Sequence, residues 1–177
     1  MKEGEVIVSV AKKYLGQREI SGNRGFECEY FEQKMKAVGW QDTHAWCAYF
    51  AELVWREAYG QMNSVIEADL RRLFSASATT TYSNFLKSTD YKKYLSNSPA
   101  IGALAVWKLG SGWQGHIGIV QQFTKKEVTT IDGNTNASGG REGIEVASMK
   151  RLISYNYREK GLNLLGFIHP PKIDNHG

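Results

Sequence analysis

The chain has 177 residues, 42% of them hydrophobic and 23% charged, with a net charge of +4. That is enough for one soluble globular domain with a real core and too little for two large ones. No segment reaches the roughly 18 apolar residues of a membrane span, and the scattered Lys and Arg include no basic run interleaved with aromatics. Neither a membrane span nor a nucleic-acid partner is therefore expected, although a basic protein is drawn to anionic polymers, bacterial walls among them.

The N-terminal half reads as helical. Val6, Val10, Ala11 and Tyr14 recur at helical spacing and predict a helix over 3–15 that stops at Gly16. The apolar run before Lys12 is too short for a secretory signal, so none is expected. A turn-rich stretch follows over 17–25, and then a second helix carrying Tyr30, Phe31, Met35 and Val38 that ends near Gly39. Asp42 or Thr43 is placed to cap a third helix from Trp46 to Tyr59, with Gly60 as its stop. Two shorter helices are expected over 63–74 and 82–95, joined by the Ser/Thr/Ala run 75–81.

After Pro99 the pattern changes to strands, expected over 103–107, 116–123, 128–132, 144–149 and 164–168, with glycine-rich connections at 110–112 and 136–140. Helices first and strands afterwards argue an α+β fold. N-terminal helices would pack on an antiparallel sheet of about five or six strands. A single domain over 1–170 and a flexible tail over 171–177 are expected.

Three positions stand out chemically. Cys47 opens the third helix, where the dipole favours an anion, and a thiolate rather than a thiol is the nucleophile. Taken alone, such a cysteine could equally be a small buried hydrophobe. His116 begins a strand whose alternation puts His116, Gly118 and Val120 on one face, and the small glycine suggests room there for a substrate. Asp132 and Asn134 are two apart on the next strand, and either could accept a hydrogen bond from the His116 ring, leaving its other nitrogen for the thiol. Asp-Gly-Asn alone reads as a plain turn. The order thiol, imidazole, polar group is the more specific signal.

These pieces resemble a known family. Trp46-Cys47-Ala48-Tyr49-Phe50, the lead-in and strand over 99–107, Gly115-His116-Ile117-Gly118-Ile119-Val120 and Thr130-Ile131-Asp132-Gly133-Asn134 are similar, in order, to the motifs of the CHAP amidase/endopeptidase group within the papain-like, NlpC-type peptidoglycan hydrolases. Tyr14-Leu15-Gly16 resembles the opening helix and its stop, and 141–151 with 166–168 resembles the closing strands, so the likeness spans nearly the whole chain. The resemblance implies a papain-like fold, with Cys47 as nucleophile, His116 as base, and Asp132 and Asn134 as orienting groups. The family commonly has Glu where Asp132 stands, which leaves open which of Asp132 and Asn134 meets His116. Residues 62–98 are longer than a minimal core needs and read as a helical insert walling one side of a groove.

The implied reaction is cleavage of a cell-wall amide through an acyl-thioester, either as N-acetylmuramoyl-L-alanine amidase or as stem or crossbridge endopeptidase. Trp113 on the loop before His116 is the first candidate for stacking on substrate, with Trp46 and Tyr82 behind it. The acid-poor stretch 17–29 lacks the calcium loop of some members. His44 and Cys47 have no paired short-spaced ligands for zinc, so no metal or cofactor is expected and His44 is read as a surface residue flanking the groove. A Cys28–Cys47 disulfide would silence the nucleophile; the two cysteines do not make a disulfide framework. Peptidoglycan is the expected partner, joined by an inhibitor (immunity) protein if the chain is an injected effector. Such a chain would be made in a bacterial or phage-infected cytoplasm and act at the wall after release or injection. Two other readings stand beside this one: a cysteine protease or amidase acting on a protein or glutathione-like amide, and a non-catalytic wall-binding module.

Overall fold

A computed structural model of the protein describes residues 2–135 and 143–173. Its helices come first: α1 (Glu3–Lys13), α2 (Glu29–Ala37), α3 (Cys47–Gln61), α4 (Ile66–Leu73) and α5 (Ala78–Lys87). One turn of 3-10 helix, Lys92–Tyr94, leads into the strands β1 (Leu95–Ser96), β2 (Leu104–Leu109), β3 (Gly115–Phe123), β4 (Glu127–Thr135), β5 (Glu145–Leu152) and β6 (Leu162–Ile168). They form one antiparallel sheet in the order β1-β6-β2-β3-β4-β5. The α+β class and the sheet inferred from the sequence are both present.

Helix α3 is the centre of the fold. Every residue from Cys47 to Trp55 is buried, because α1, α2, α4 and the sheet surround it. Strand alternation divides the sheet's side chains between two cores. Leu104, Val106, Ile117, Ile119 and Ile131 join the helical core with Trp46, Phe50 and Val54. Ala103, Ala105, Trp107, Val120, Val128, Leu164 and Phe167 form a second cluster. His116, Gly118 and Asp132 share the register of this second face.

Several local expectations are corrected. The Ser/Thr run is not a linker: Ser77 caps α5 by accepting from the Thr80 N–H, so the helix begins at Ala78 rather than near 82. The chain from Lys92 to Ser96 then leaves the helix and adds an edge strand. Helix α3 runs through Gly60, and the left-handed turn falls at Asn63 (φ 50°). Neither Asp42 nor Thr43 caps α3; the N-cap is Trp46, with no side-chain capping bond, and Thr43 is itself left-handed (φ 74°).

The stretch 62–98 contributes Leu70, Leu73, Phe74, Ala78 and Phe85 to the main core. The segment from 171, expected to be a flexible tail, is tied down as far as 173. The Tyr59 hydroxyl donates to the Pro171 carbonyl (2.6 Å), and the Ile173 N–H donates to Glu3 (2.9 Å). Residues 136–140, expected as a glycine-rich connection, and 174–177 lie outside the described residues.

Candidate active site

Cys47 is the first residue of α3; its thiol is not in a disulfide, and the residue is 8% exposed. The first N–H groups of a helix have no intrahelical acceptor, and the α3 ladder begins only with the Phe50 N–H donating to the Trp46 carbonyl (2.9 Å). The Cys47 N–H is therefore free of the ladder, at the positive end of the helix dipole. Trp46 fixes this end of the helix. Its buried indole donates to Glu19 Oε2 (2.5 Å) and packs edge-on against Phe26, with centroids 5.0 Å apart. Gly133 brings β4 against the same spot: a Cβ there would sit 2.7 Å from Phe50 Cβ and 2.8 Å from the Trp46 ring.

His116 and Asp132 have no exposed surface. Their strands, β3 and β4, pair antiparallel, and His116 Nε2 lies 2.8 Å from Asp132 Oδ2. This resolves the alternative left by the sequence: Asp132 is the group that meets the ring. Nδ1 is buried and lacks a well-formed hydrogen bond of its own, and Cys47 is the neighbour whose hydrogen bonding and charge also bear on the ring. Burial pushes the imidazole pKa down, but the Asp132 charge and hydrogen bond, with a further contribution from Cys47, raise it to about 9. Burial also opposes ionisation of Asp132. The His116 charge and hydrogen bond, then Arg151 and Thr130, hold its carboxyl below the ordinary range.

Asn134 does not continue the alternation. It sits at φ 53°, where the β4–β5 register slips between Asp132 and Thr135, and its side chain is buried. In this bulge the two-residue spacing no longer implies a shared face.

Other expectations sort by burial. Trp113 is 75% exposed on the turn between β2 and β3, with its carbonyl accepting from the Thr79 hydroxyl (2.7 Å). Trp46 is wholly buried, so its role is to anchor α3, not to touch substrate. Tyr82 is half-buried, and its hydroxyl donates to the Leu165 carbonyl (3.2 Å). His44 is exposed and meets the Tyr49 hydroxyl through Nδ1 (3.3 Å). The space at Gly118, read from the sequence as room for substrate, is filled by the Asp132 carboxylate. Among the described residues no three His, Cys, Asp or Glu side chains are arranged to hold a metal ion, and no helix is long and apolar enough to cross a membrane.

Arg151 on β5 escaped the sequence reading. Its Nη1 lies 2.7 Å from Asp132 Oδ2 and donates to the Thr130 hydroxyl (3.1 Å), and its guanidinium lies 4.8 Å over the Trp107 ring. A signal was present. Lys150 and Arg151 are adjacent in a strand, so they face opposite sides, and one of the two must point inward.

Comparison with known proteins identifies a family. The family model described as "CHAP domain" covers residues 39–134, more than half the chain, a span that begins ahead of α3 and closes on Asn134. The opening helix and closing strands, included in the likeness read from the sequence, lie outside it. No curated protein and no solved structure matches the chain. CHAP domains are generally amidases or peptidases of peptidoglycan. On the match, together with an antiparallel α+β fold that gathers Cys47, His116 and Asp132, the chain belongs to the CHAP domain family.

Proposed function

We propose that the protein is a cysteine peptidoglycan hydrolase, a single catalytic domain cutting an amide of the wall peptide, and that Cys47, His116 and Asp132 carry the reaction. One observation supports this above the others. The buried Asp132 carboxylate takes one nitrogen of His116, and the ring that remains is influenced by a thiol at a helix start. A raised imidazole pKa keeps the ring protonated at neutral pH, the form that stabilises a neighbouring thiolate.

The Cys47 thiolate attacks the amide carbonyl carbon. The developing oxyanion takes the free Cys47 N–H as a donor. His116 gives its proton to the leaving amine, and an acyl-thioester remains on Cys47. Water, deprotonated by the now neutral ring, resolves the thioester and frees the thiol. Asp132 keeps the ring aligned and balances its charge throughout. Asn134, at the bulge, shapes the strand end behind Asp132, and Trp113 offers an exposed indole for stacking on glycan or peptide.

The bond cut is either the lactyl amide of N-acetylmuramoyl-L-alanine or an amide of the stem or crossbridge. The setting is the wall, reached as a lysin by release or as an antibacterial effector by injection. In the effector setting the producing cell needs an inhibitor protein that covers Cys47, and co-purification with the product of a neighbouring gene tests that.

The deciding experiment is digestion of purified peptidoglycan by the wild type and by Cys47→Ala, with products identified by mass spectrometry. Free stems beginning at L-alanine identify an amidase, and cut stems or crossbridges an endopeptidase. Both must vanish in Cys47→Ala. No release by folded, reduced wild type moves the reading to a protein or small-amide substrate.

A further inference from the structure

The Asp132 carboxylate is bound unevenly. His116 Nε2 and Arg151 Nη1 converge on the same oxygen, Oδ2, at 2.8 and 2.7 Å, while Oδ1 is turned to Gly118. Arg151 is held for this purpose from two sides. The Thr130 hydroxyl accepts from the same Nη1, and the Trp107 ring lies beneath the guanidinium. Trp107 is also the neighbour of the His116 ring, with centroids 6.1 Å apart. One aromatic side chain thus lies beside both cations that Asp132 binds. Arg151 lies beyond the segment matched by the family model.

We propose that Arg151 is a positioning residue for the Cys47–His116 pair: it fixes the Asp132 carboxylate through Oδ2 and supplies a permanent positive charge that sets the pH range in which the pair is active. This rests on the cysteine-hydrolase reading above.

The sign of the charge effect follows from electrostatics. The charged or titratable groups assembled here are Cys47 from α3, His116 from β3, Asp132 from β4 and Arg151 from β5, and Arg158 shares a surface cavity of about 360 Å³ with Trp107 and Arg151. A fixed positive charge disfavours binding of each further proton to a coupled cluster. Removing it raises every apparent pKa of the cluster, whichever site takes the proton. A neutral residue at 151 therefore moves both limbs of a pH–reactivity profile toward higher pH. A side chain that merely filled space would lower the rate without moving the limbs.

The test reads thiol chemistry, so it needs no wall substrate. In a Cys28→Ala background, the rate of Cys47 alkylation by iodoacetamide is followed from pH 4 to 10 for the wild type, Arg151→Met, Arg151→Gln and Arg151→Lys, with folding checked by circular dichroism. We expect both limbs to move up by about one pH unit in the two neutral variants, and to return toward the wild-type positions in Arg151→Lys. Met and Gln carry the same expectation, so a folding defect in one does not empty the test. Limbs unmoved in a folded neutral variant, or moved equally by Lys, overturn the proposal. A wild type with the reactivity of an ordinary free thiol overturns instead the hydrolase reading beneath it.

Discussion

The Asp132 carboxylate stands directly over Gly118: a methyl group built on that glycine would lie 2.0 Å from Asp132 Oδ1. The φ of Gly118 is not among the left-handed values, so the requirement is for space alone. Gly118→Ala is expected to fold with a displaced Asp132 and to lose about a hundredfold in kcat, the typical cost of roughly 1 Å of misplacement. Its hydrolysis rate, measured beside its thermal unfolding, checks this. Full activity would mean that the carboxylate's position is immaterial.

Asp132→Asn tests charge apart from shape. The amide nearly matches the carboxylate in size but no longer favours the imidazolium, so the raised His116 pKa should fall and the upper limb of Cys47 alkylation should move down the pH axis. Activity is expected to drop by a factor on the order of 10² to 10⁴, by analogy with the orienting aspartate of a hydrolytic triad. The alkylation profile and kcat measured on one preparation decide it. An unmoved upper limb would separate Asp132 from the titration of His116.

Stability should report the same groups. The folded His116 pKa, about 9, lies above the ordinary value of 6.5. Its stabilising contribution is therefore complete below about pH 6.5 and is lost as pH rises through about 9. Asp132 is shifted the other way, so its contribution is complete above the ordinary carboxylate value and is lost as pH falls through its lowered folded value. Urea midpoints across pH should thus decline from pH 6.5 toward 9.5, and this slope should flatten in His116→Gln.

The two tryptophans nearest the motifs should behave oppositely. Trp46→Ala removes a fully buried side chain and the indole partner of Glu19, and is expected to cost about 3–5 kcal/mol of stability. Trp113→Ala should leave the unfolding midpoint nearly unchanged. If the indole stacks on substrate it raises KM several-fold, in keeping with about 0.5–1.5 kcal/mol for such a contact. A Trp113 variant with unaltered KM and kcat removes that residue from the substrate site.

The sequence made the site legible where chemistry and local pattern coincide. Cys47 was visible because a helix start activates a thiol, and His116 because a strand of alternating Ile and Gly isolates it. Asp132 and Asn134 could not be told apart, because period-two alternation assumes an unbroken strand and β4 bulges between them. Gly118 was read as open space because a sequence records small residues but not what fills the room they leave. Ser77 was lost in a run of equivalent hydroxyl residues, and which hydroxyl caps a helix is settled by the packing of Ala78, Thr81 and Phe85. Arg151 belongs to a contact between strands remote from the motif, where adjacent basic residues tell only that one must face inward.

Cys47 keeps 8% of its surface exposed, while His116 and Asp132 keep none. An electrophile consequently meets Cys47 before the imidazole or the carboxylate. The same seclusion predicts selectivity among electrophiles: small haloacetamides should label Cys47 readily, whereas bulky aromatic disulfides should react with it far more slowly than with the more open Cys28.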